Sequence, residues 1–209
     1  MAKIRSIGTL IVDSTILCCN FVNTVSSWKT KDNYDYLVTY DDFIEWCLKL
    51  KVSDVERLQM FRELAKDQPE EALAALNRIK EIRQVLQGLL SAVAQNDTDK
   101  KHTFLPAANL LLIDAASRQR LLYSGGRFVI DQIETAGDLM APAWKAVHSL
   151  ADLLTGHDNS RIKECPKCGW VFLDETKNGR RKWCNSKVCG STDKMMRYNQ
   201  RKKQQNEDI

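Results

Sequence analysis

Four of the seven cysteines lie close together in the segment CPKCGWVFLDETKNGRRKWCNSKVC, residues 165–189. Two residues separate Cys165 from Cys168, four separate Cys184 from Cys189, and fifteen lie between the two pairs. A C-x2-C turn and a second cysteine pair can place four thiolates around one ion as a tetrahedron. Four thiolates leave no open coordination position. The spacing therefore predicts one structural Zn²⁺ held by these four residues.

Three other interpretations of the cysteines are weaker. An odd number of cysteines cannot pair completely in one chain, and a reducing compartment disfavours a disulfide framework. A C-x-x-C redox pair normally follows a strand in a βαβ unit, which the sequence does not show, and the knuckle spacing favours zinc over an iron–sulfur cluster. His157 lies in a polar stretch and is interpreted as a solvated loop residue, as are His102 and His148.

Positive charge is concentrated around the cysteines. Residues 161–209 contain 13 Lys and Arg against 6 Asp and Glu, a balance of +7, whereas residues 1–160 contain 18 against 21, a balance of −3. Lysine and arginine bind phosphate oxygens, and the released counterions drive association with nucleic acid. Phosphate contacts do not specify a base sequence. The predicted nucleic-acid contacts are Arg180, Arg181, Lys182, Lys187, Lys194, Arg197 and Arg201.

The segment around the cysteines also carries signals for secondary structure. Residues 171–173 predict a strand, Asn178 and Gly179 a tight turn, and residues 180–183 a return strand. Ser191 or Thr192 is a suitable cap for a terminal helix. A knuckle, a hairpin and a helix around one zinc ion describe a small treble-clef-like finger. Trp183 and Tyr198 could stack on bases, although packing within the finger is the simpler interpretation.

The elements before the finger are mostly helical. Apolar residues at 17, 21, 25 and 28 predict a helix that Asp13 or Ser14 could cap, with Cys18 and Cys19 as core residues. Pro69 predicts the start of a long helix with a continuous apolar stripe, and Pro106 and Pro142 each open a further helix.

One hairpin interrupts this helical pattern. Ser124, Gly125 and Gly126 separate two apolar segments and predict a tight turn between two strands. The fold class is therefore mainly α with some β structure. Polar residues 155–160 mark a boundary, which divides the chain into a helical domain, residues 1–157, and a finger, residues 158–209.

Composition limits the class of protein. The chain is 44% hydrophobic and 28% charged, and no apolar run approaches the roughly 20 residues of a membrane helix. Lys3, Arg5 and the apolar residues that follow imitate a signal peptide, but Asp13 interrupts the run and no small-x-small cleavage site follows. We therefore expect a cytoplasmic protein without a membrane partner.

Several short motifs carry a resemblance to a known family. They are Phe-Val-Asn-Thr at 21–24, Tyr-Asp-Asp at 40–42 followed by Trp46, and the Gly125–Gly126 turn. The most specific positions lie in the finger: Phe172, Asp174, Asn178, Gly179, Arg180, Arg181, Trp183, Cys184, Cys189 and Gly190. Over nearly its whole length, the chain resembles bacterial proteins that pair an N-terminal ABATE domain with a C-terminal CGNR zinc finger.

The chain departs from that family at two places. Ser191 and Thr192 follow Cys189-Gly190 where the family has Asn-Arg, so one arginine is absent at the start of the last helix. Cys19 and Asn20 replace the usual Leu-Asp before the Phe-Val-Asn-Thr motif. The resemblance implies a stress-linked transcriptional regulator whose finger binds DNA.

Three functional hypotheses remain open at this stage. The first is a regulator in which the helical domain senses a small molecule or a protein, or forms a homodimer, and the finger binds DNA. The second is an RNA-binding or ribosome-associated zinc protein. The third is a protein-interaction module. We do not expect an enzyme, since the sequence shows no nucleophile with a base, no phosphate-cradling glycine loop and no open metal site.

Overall fold

The computed structural model describes residues 5–133 and 137–195, and this part of the chain is mainly helical. The α-helices of the N-terminal region are α1 (Leu17–Val22), α2 (Tyr40–Leu50), α3 (Val55–Asp67), α4 (Pro69–Ala94), α5 (Thr98–Ala116) and α6 (Ala141–Gly156). Two antiparallel hairpins accompany them. The predicted fold class, mainly α with a finger at the C-terminal side, is confirmed.

Helix α4 lies at the centre of the molecule. It begins at Pro69, as predicted, because proline at the first helical position sacrifices no backbone hydrogen bond. It packs against the five other helices and against the strands of the finger. The predicted apolar stripe is confirmed, and its buried members are Leu76, Ile79, Ile82, Leu86, Leu89 and Leu90. Cys18 and Cys19 on α1 are also buried in this core, as expected.

The first hairpin consists of β1 (Gln119–Ser124) and β2 (Arg127–Gln132). Gly125 and Gly126 form the two-residue turn with φ angles of 59° and 80°, so both adopt the left-handed backbone that a tight hairpin requires. The predicted hairpin is confirmed.

The finger contains a second hairpin, formed by β3 (Ile162–Glu164) and β4 (Val171–Leu173). These strands flank the first cysteine pair, and β3 pairs with β4 from Ile162 opposite Leu173 to Glu164 opposite Val171. A one-turn π-helix (Ser186–Gly190) follows and continues into a helix over residues 191–195.

The predicted return strand over residues 180–183 is wrong. Strand β4 pairs with β3 instead, and residues 180–183 form no strand. The predicted turn at Gly179 is present, with φ at 59°, but the backbone N–H of Arg181 then donates to the carboxylate of Asp174 rather than to a strand. The side chain of Asp174 thus accepts the hydrogen bond that a neighbouring strand would accept in a sheet.

Two predicted helices have different bounds. Helix α1 ends at Val22, because Val25 leaves the helical path and forms a bridge with Asp35. Helix α5 begins at Thr98 and includes Pro106 in its interior, because the carboxylate of Asp97 caps the helix at the N–H of Lys100. The proline pattern therefore placed the start of α5 eight residues too late.

No helix within the two described ranges combines the length and the hydropathy that crossing a bilayer requires.

Candidate zinc centre and nucleic-acid interface

The four cysteines of the finger converge on one point. Cys165 and Cys168 lie in the turn between β3 and β4, and Cys189 lies on the π-helix. The Sγ atoms of Cys168, Cys184 and Cys189 are 3.5, 3.6 and 3.8 Å apart, and all four sulfur atoms lie within 4.8 Å of one another. A tetrahedral zinc ion with Zn–S bonds of about 2.3 Å separates its sulfur ligands by about 3.8 Å. The four thiols can therefore hold one zinc ion.

Electrostatics favour a cation at this point. Hydrogen bonds from the thiols of Cys168 and Cys184 lower the pKa of Cys165. The hydrogen bond between Cys165 and Cys168 raises the pKa of Cys168 to about 12. Four buried sulfur atoms cannot all lose their protons at this distance unless a positive charge lies between them. Zinc would supply that charge, and none of the seven cysteines, all of which lie in the described residues, forms a disulfide.

The turn that carries the first cysteine pair has little freedom. The N–H of Cys165 donates to the carbonyl of Trp170 at 2.8 Å, and the N–H of Gly169 donates to the carbonyl of Cys165 at 2.9 Å. Gly169 has a φ of +76°, and a Cβ atom at this residue would lie 2.9 Å from the Cβ of Trp28. Only glycine satisfies both the backbone angle and the close approach.

Trp28 belongs to a segment of the helical region, residues 23–29, that we call the docking segment. The side-chain amide of Asn23 donates to the carbonyl of Val171 at 2.9 Å and accepts from its N–H at 3.1 Å. The N–H of Trp28 donates to the carbonyl of Cys168 at 2.7 Å, and the indole of Trp170 donates to the carbonyl of Val25 at 2.6 Å. The docking segment thus satisfies backbone groups on both sides of the Cys165–Cys168 turn.

A second set of contacts fixes the docking segment on α4. The buried guanidinium of Arg83 donates to Thr24 at 2.8 Å and makes two bonds to the carboxylate of Asp35, at 2.7 and 2.6 Å. Burial raises the pKa of Asp35, but hydrogen bonds and the charge of Arg83 lower it more, so the net pKa lies below its ordinary value. Helix α4 therefore holds the segment that holds the finger.

Lys29 extends this connection at the end of the docking segment. Its ammonium group lies 2.7 Å from the carboxylate of Glu164 on β3. Ser91 of α4 and Gln95, which directly follows α4, donate to the same carboxylate. Burial raises the pKa of Glu164, and the hydrogen bonds from Lys29, Ser91 and Gln95 reverse that effect and lower it. Glu164 is therefore an anion shared by the finger and two parts of the helical region.

Asp174 and Arg181 stabilise the segment between β4 and Cys184, which we call the Cys184 arm. The buried carboxylate of Asp174 accepts from the hydroxyl of Thr176 at 2.6 Å and from the N–H of Arg181 at 2.8 Å. The guanidinium of Arg181 donates to the carbonyls of Trp183 and Cys184 and lies 4.4 Å from the ring centroid of Phe172. The side chain of Arg181 is therefore engaged within the finger.

Asn185 caps the helical turn that carries Cys189. Its side-chain oxygen accepts from the N–H groups of Lys187 and Val188 at 2.9 and 3.0 Å, and its amide donates to Asp13 at 2.6 Å. Two predicted caps are therefore wrong. Asp13 contacts the finger rather than capping α1, which has no side-chain cap. The cap before the terminal helix is Asn185 and not Ser191 or Thr192, because the π-helix begins before those residues.

Four of the predicted nucleic-acid residues are exposed around this centre. They are Arg180, Lys182, Lys187 and Lys194. The ammonium of Lys182 lies 5.0 Å from the ring centroid of Trp183, which is half-buried. Arg197 and Arg201, and also Tyr198, lie outside the described residues, so their predicted contacts stay predictions.

A cleft of about 520 Å³ opens beside Arg180 and Lys182. Lys29 and Lys163 contribute to its walls, together with Glu164 from the same strand as Lys163. Sequence reasoning missed both lysines because Lys29 is remote in sequence from the finger and Lys163 lies outside the cysteine segment. It also missed Asn23 as a contact of the finger, although the Phe-Val-Asn-Thr motif had marked its position.

Two protein-family models match the chain. Residues 16–157 match the model ABATE, described as "Putative stress-induced transcription regulator", and residues 161–202 match the model zf-CGNR, described as "CGNR zinc finger". A search of curated proteins found no match.

Proposed function

The chain belongs to the ABATE family and carries a CGNR zinc finger, and from this premise we propose that it is a transcriptional regulator that binds DNA through the finger. Zinc has a structural role in this proposal. Its four ligands are Cys165, Cys168, Cys184 and Cys189, and a closed shell of thiolates leaves no position for a reacting water.

The observation that carries the proposal is the placement of exposed cations next to the cysteine cluster. Arg180 and Lys182 line the cleft beside the finger together with Lys163, and we call it the basic cleft. Lys187 and Lys194 lie on the helical segment that follows Cys184. Zinc would hold both segments at a fixed separation, as it does in fingers that present a helix to DNA. Arg197 and Arg201 are proposed as further phosphate contacts from the sequence alone.

The helical region is proposed to sense a small molecule or a protein partner. The docking segment supports this proposal. Any ligand that moves α4 or residues 23–29 also changes the backbone contacts of the Cys165–Cys168 turn, which we call the zinc turn. A cleft of about 520 Å³ between α2, α3 and α4 is the proposed entry point, with Tyr40, Arg62 and Lys66 among its lining residues. Most of its lining is apolar, but Asp41 also lies in its wall and pairs with Arg62, and Lys66 pairs with Glu63. The cleft therefore suits a mainly apolar ligand with a polar group that bonds to the Arg62–Asp41 pair.

The test is a competition experiment with the full chain. Fluorescence anisotropy compares duplex DNA, single-stranded DNA and structured RNA at one salt concentration. The proposal predicts the tightest binding for duplex DNA, whereas preference for structured RNA would replace it with the RNA-binding hypothesis.

A charge-reversal pair provides the control for this competition. Arg180→Glu with Lys182→Glu should weaken binding to DNA at least tenfold, because each lost phosphate contact removes counterion release and each new carboxylate repels. Lys51→Glu with Arg127→Glu makes the same change of net charge at two exposed residues outside the finger and should leave affinity nearly unchanged. Equal losses for both pairs would mean that only net charge matters and would contradict an interface at the finger.

A further inference from the structure

One face of the β1–β2 hairpin is apolar and exposed. Antiparallel pairing places Leu121 opposite Ile130 and Tyr123 opposite Phe128, and the two aromatic rings lie 5.0 Å apart. Side chains alternate between the two faces of a strand, so these four residues share one face. They are 62–68% exposed in the single chain. We call this surface the apolar hairpin face.

The opposite face of the same hairpin has different chemistry. Arg120 and Asp131 form an ion pair of 3.0 Å there, beside the half-buried side chains of Leu122 and Val129. The apolar hairpin face carries no charged residue, and its remaining pair is Gln119 with Gln132. Charge is thus segregated to one side of the hairpin.

The hairpin receives little support from the rest of the described chain. Its main contacts are between its own two strands. A two-stranded hairpin is only marginally stable in water without a third strand or a packing partner. Four large apolar side chains that remain exposed together also form a patch of the kind that marks an interaction site.

From these observations we propose that the apolar hairpin face is the contact between two copies of this chain in a homodimer. The two copies pack this face against each other around a twofold axis, as two sheet faces do in a β-sandwich. This proposal goes beyond the proposed DNA-binding function and does not depend on it.

A second copy fits this face better than any charged partner. The face is uncharged, so it offers no ion pair to a phosphate backbone or to an acidic or basic protein surface. It is also self-complementary, because an aromatic pair and an aliphatic pair lie side by side. A twofold rotation can pack the aromatic pair of one copy on the aromatic or the aliphatic pair of the other copy.

The area of the face sets the expected strength of the dimer. With side chains of ordinary size, the exposed parts of the four residues amount to roughly 500 Å² per copy, and two copies would bury roughly 1,000 Å². This is the lower end of specific interfaces. We therefore expect a reversible dimer with a dissociation constant on the order of 10 µM.

Sedimentation equilibrium of the full zinc-loaded chain tests the proposal. The wild-type chain should change from monomer to dimer across the micromolar range. Tyr123→Arg and Phe128→Arg should each raise the dissociation constant at least tenfold, because each places like charges in an apolar contact. The control is Val55→Arg, which alters an equally exposed apolar residue on α3 and should leave the dimer intact.

A second measurement does not depend on any variant. Hydrogen–deuterium exchange of the wild-type chain, at concentrations above and below the transition, should show protection of β1 and β2 amides only in the dimer. A chain that stays monomeric to about 500 µM, far above the expected dissociation constant, would overturn the proposal. A dimer that neither substitution weakens, and in which the hairpin amides stay unprotected, would also overturn it. A monomer that still binds DNA would overturn this contact alone and leave the proposed function intact.

Discussion

Arg180 and Arg181 are neighbours in sequence but have different surroundings. Both residues line the basic cleft, but only the side chain of Arg180 is exposed, whereas that of Arg181 is half-buried. The guanidinium of Arg181 instead donates to two backbone carbonyls and lies over the ring of Phe172. Two adjacent arginines that look equivalent in a basic run are thus separated by their hydrogen bonds.

This difference predicts that glutamine at position 180 changes DNA binding, whereas glutamine at position 181 changes zinc release. Arg180→Gln should reduce the slope of log affinity for DNA against log salt by about 1 and leave zinc release unchanged, since it removes one phosphate contact. Arg181→Gln should release zinc to a chromophoric chelator several-fold faster, because the Cys184 arm loses two hydrogen bonds. Stopped-flow zinc transfer and salt titrations measure the two effects. Identical behaviour of the two variants would refute the assignment.

The zinc ligands allow a second prediction at this scale. Cys184→Ala should reduce bound zinc from one ion per chain to far less than one, because three thiolates cannot close the tetrahedral shell. Cys47→Ala removes a buried sulfur from the helical core and should keep one zinc. Metal analysis by mass spectrometry provides the measurement. Full zinc content in Cys184→Ala would show that the ion is held elsewhere.

At the scale of elements, the docking segment connects the helices to the zinc turn. Asn23→Ala should accelerate zinc release from the full chain at least tenfold, because the substitution leaves the buried N–H and carbonyl of Val171 without their partners, at a cost of about 1–3 kcal/mol. Asn33→Ala, an exposed asparagine between α1 and α2, is the control. Equal release rates in Asn23→Ala and wild type would mean that the finger holds its zinc without help from the helices.

The Arg83–Asp35 pair predicts a pH dependence. A carboxyl group with a lower pKa in the folded than in the unfolded state stabilises the fold above its unfolded pKa, about 3.9, and loses that contribution as the pH falls. Asp35 is of this kind. Asp35→Asn should therefore lower the free energy of unfolding at pH 7 by about 1–2 kcal/mol.

The difference between Asp35→Asn and wild type should shrink below about pH 4, where the wild-type carboxyl group also becomes neutral. Denaturant unfolding of both proteins across this range measures it. A difference that stays constant with pH would mean that the charge of Asp35 does not contribute.

The elements differ in how well the sequence predicted them. The long apolar stripe and Pro69 are local signals, and α4 formed as predicted. The Gly125–Gly126 turn is equally local. The end of α1 and the missing return strand at 180–183 were not predictable from local patterns. Val25 forms a β-bridge with Asp35, and the N–H of Arg181 donates to the carboxylate of Asp174. Such side-chain and long-range partners are not visible in a periodicity.

At the scale of the whole molecule, the helices and the finger share one apolar core. Ile162, Val171 and Leu173 of the finger belong to the same buried cluster as the stripe of α4. A smaller cluster around the four cysteines includes Phe172. The division at residues 157 and 158 remains a proposal about function rather than a gap in packing.

The cysteine ligand set could be predicted from spacing alone, because two pairs at such intervals have few other uses. The surroundings of that set could not. Lys29 and Asn23 are more than 130 residues away from the zinc turn in sequence, and only the fold brings them to it. The basic run predicted a surface, but it could not separate exposed cations from one that is engaged in the finger.

The most direct test of the central claim is binding of the full chain to duplex DNA as salt is varied, with and without zinc. Fluorescence anisotropy should show log affinity falling linearly with log salt, with a slope of about −4 if four to five phosphates are contacted. Removal of zinc by a chelator should abolish this binding, and added zinc should restore it. Affinity that is independent of salt, or that survives complete loss of zinc, would contradict a zinc-held basic interface for DNA.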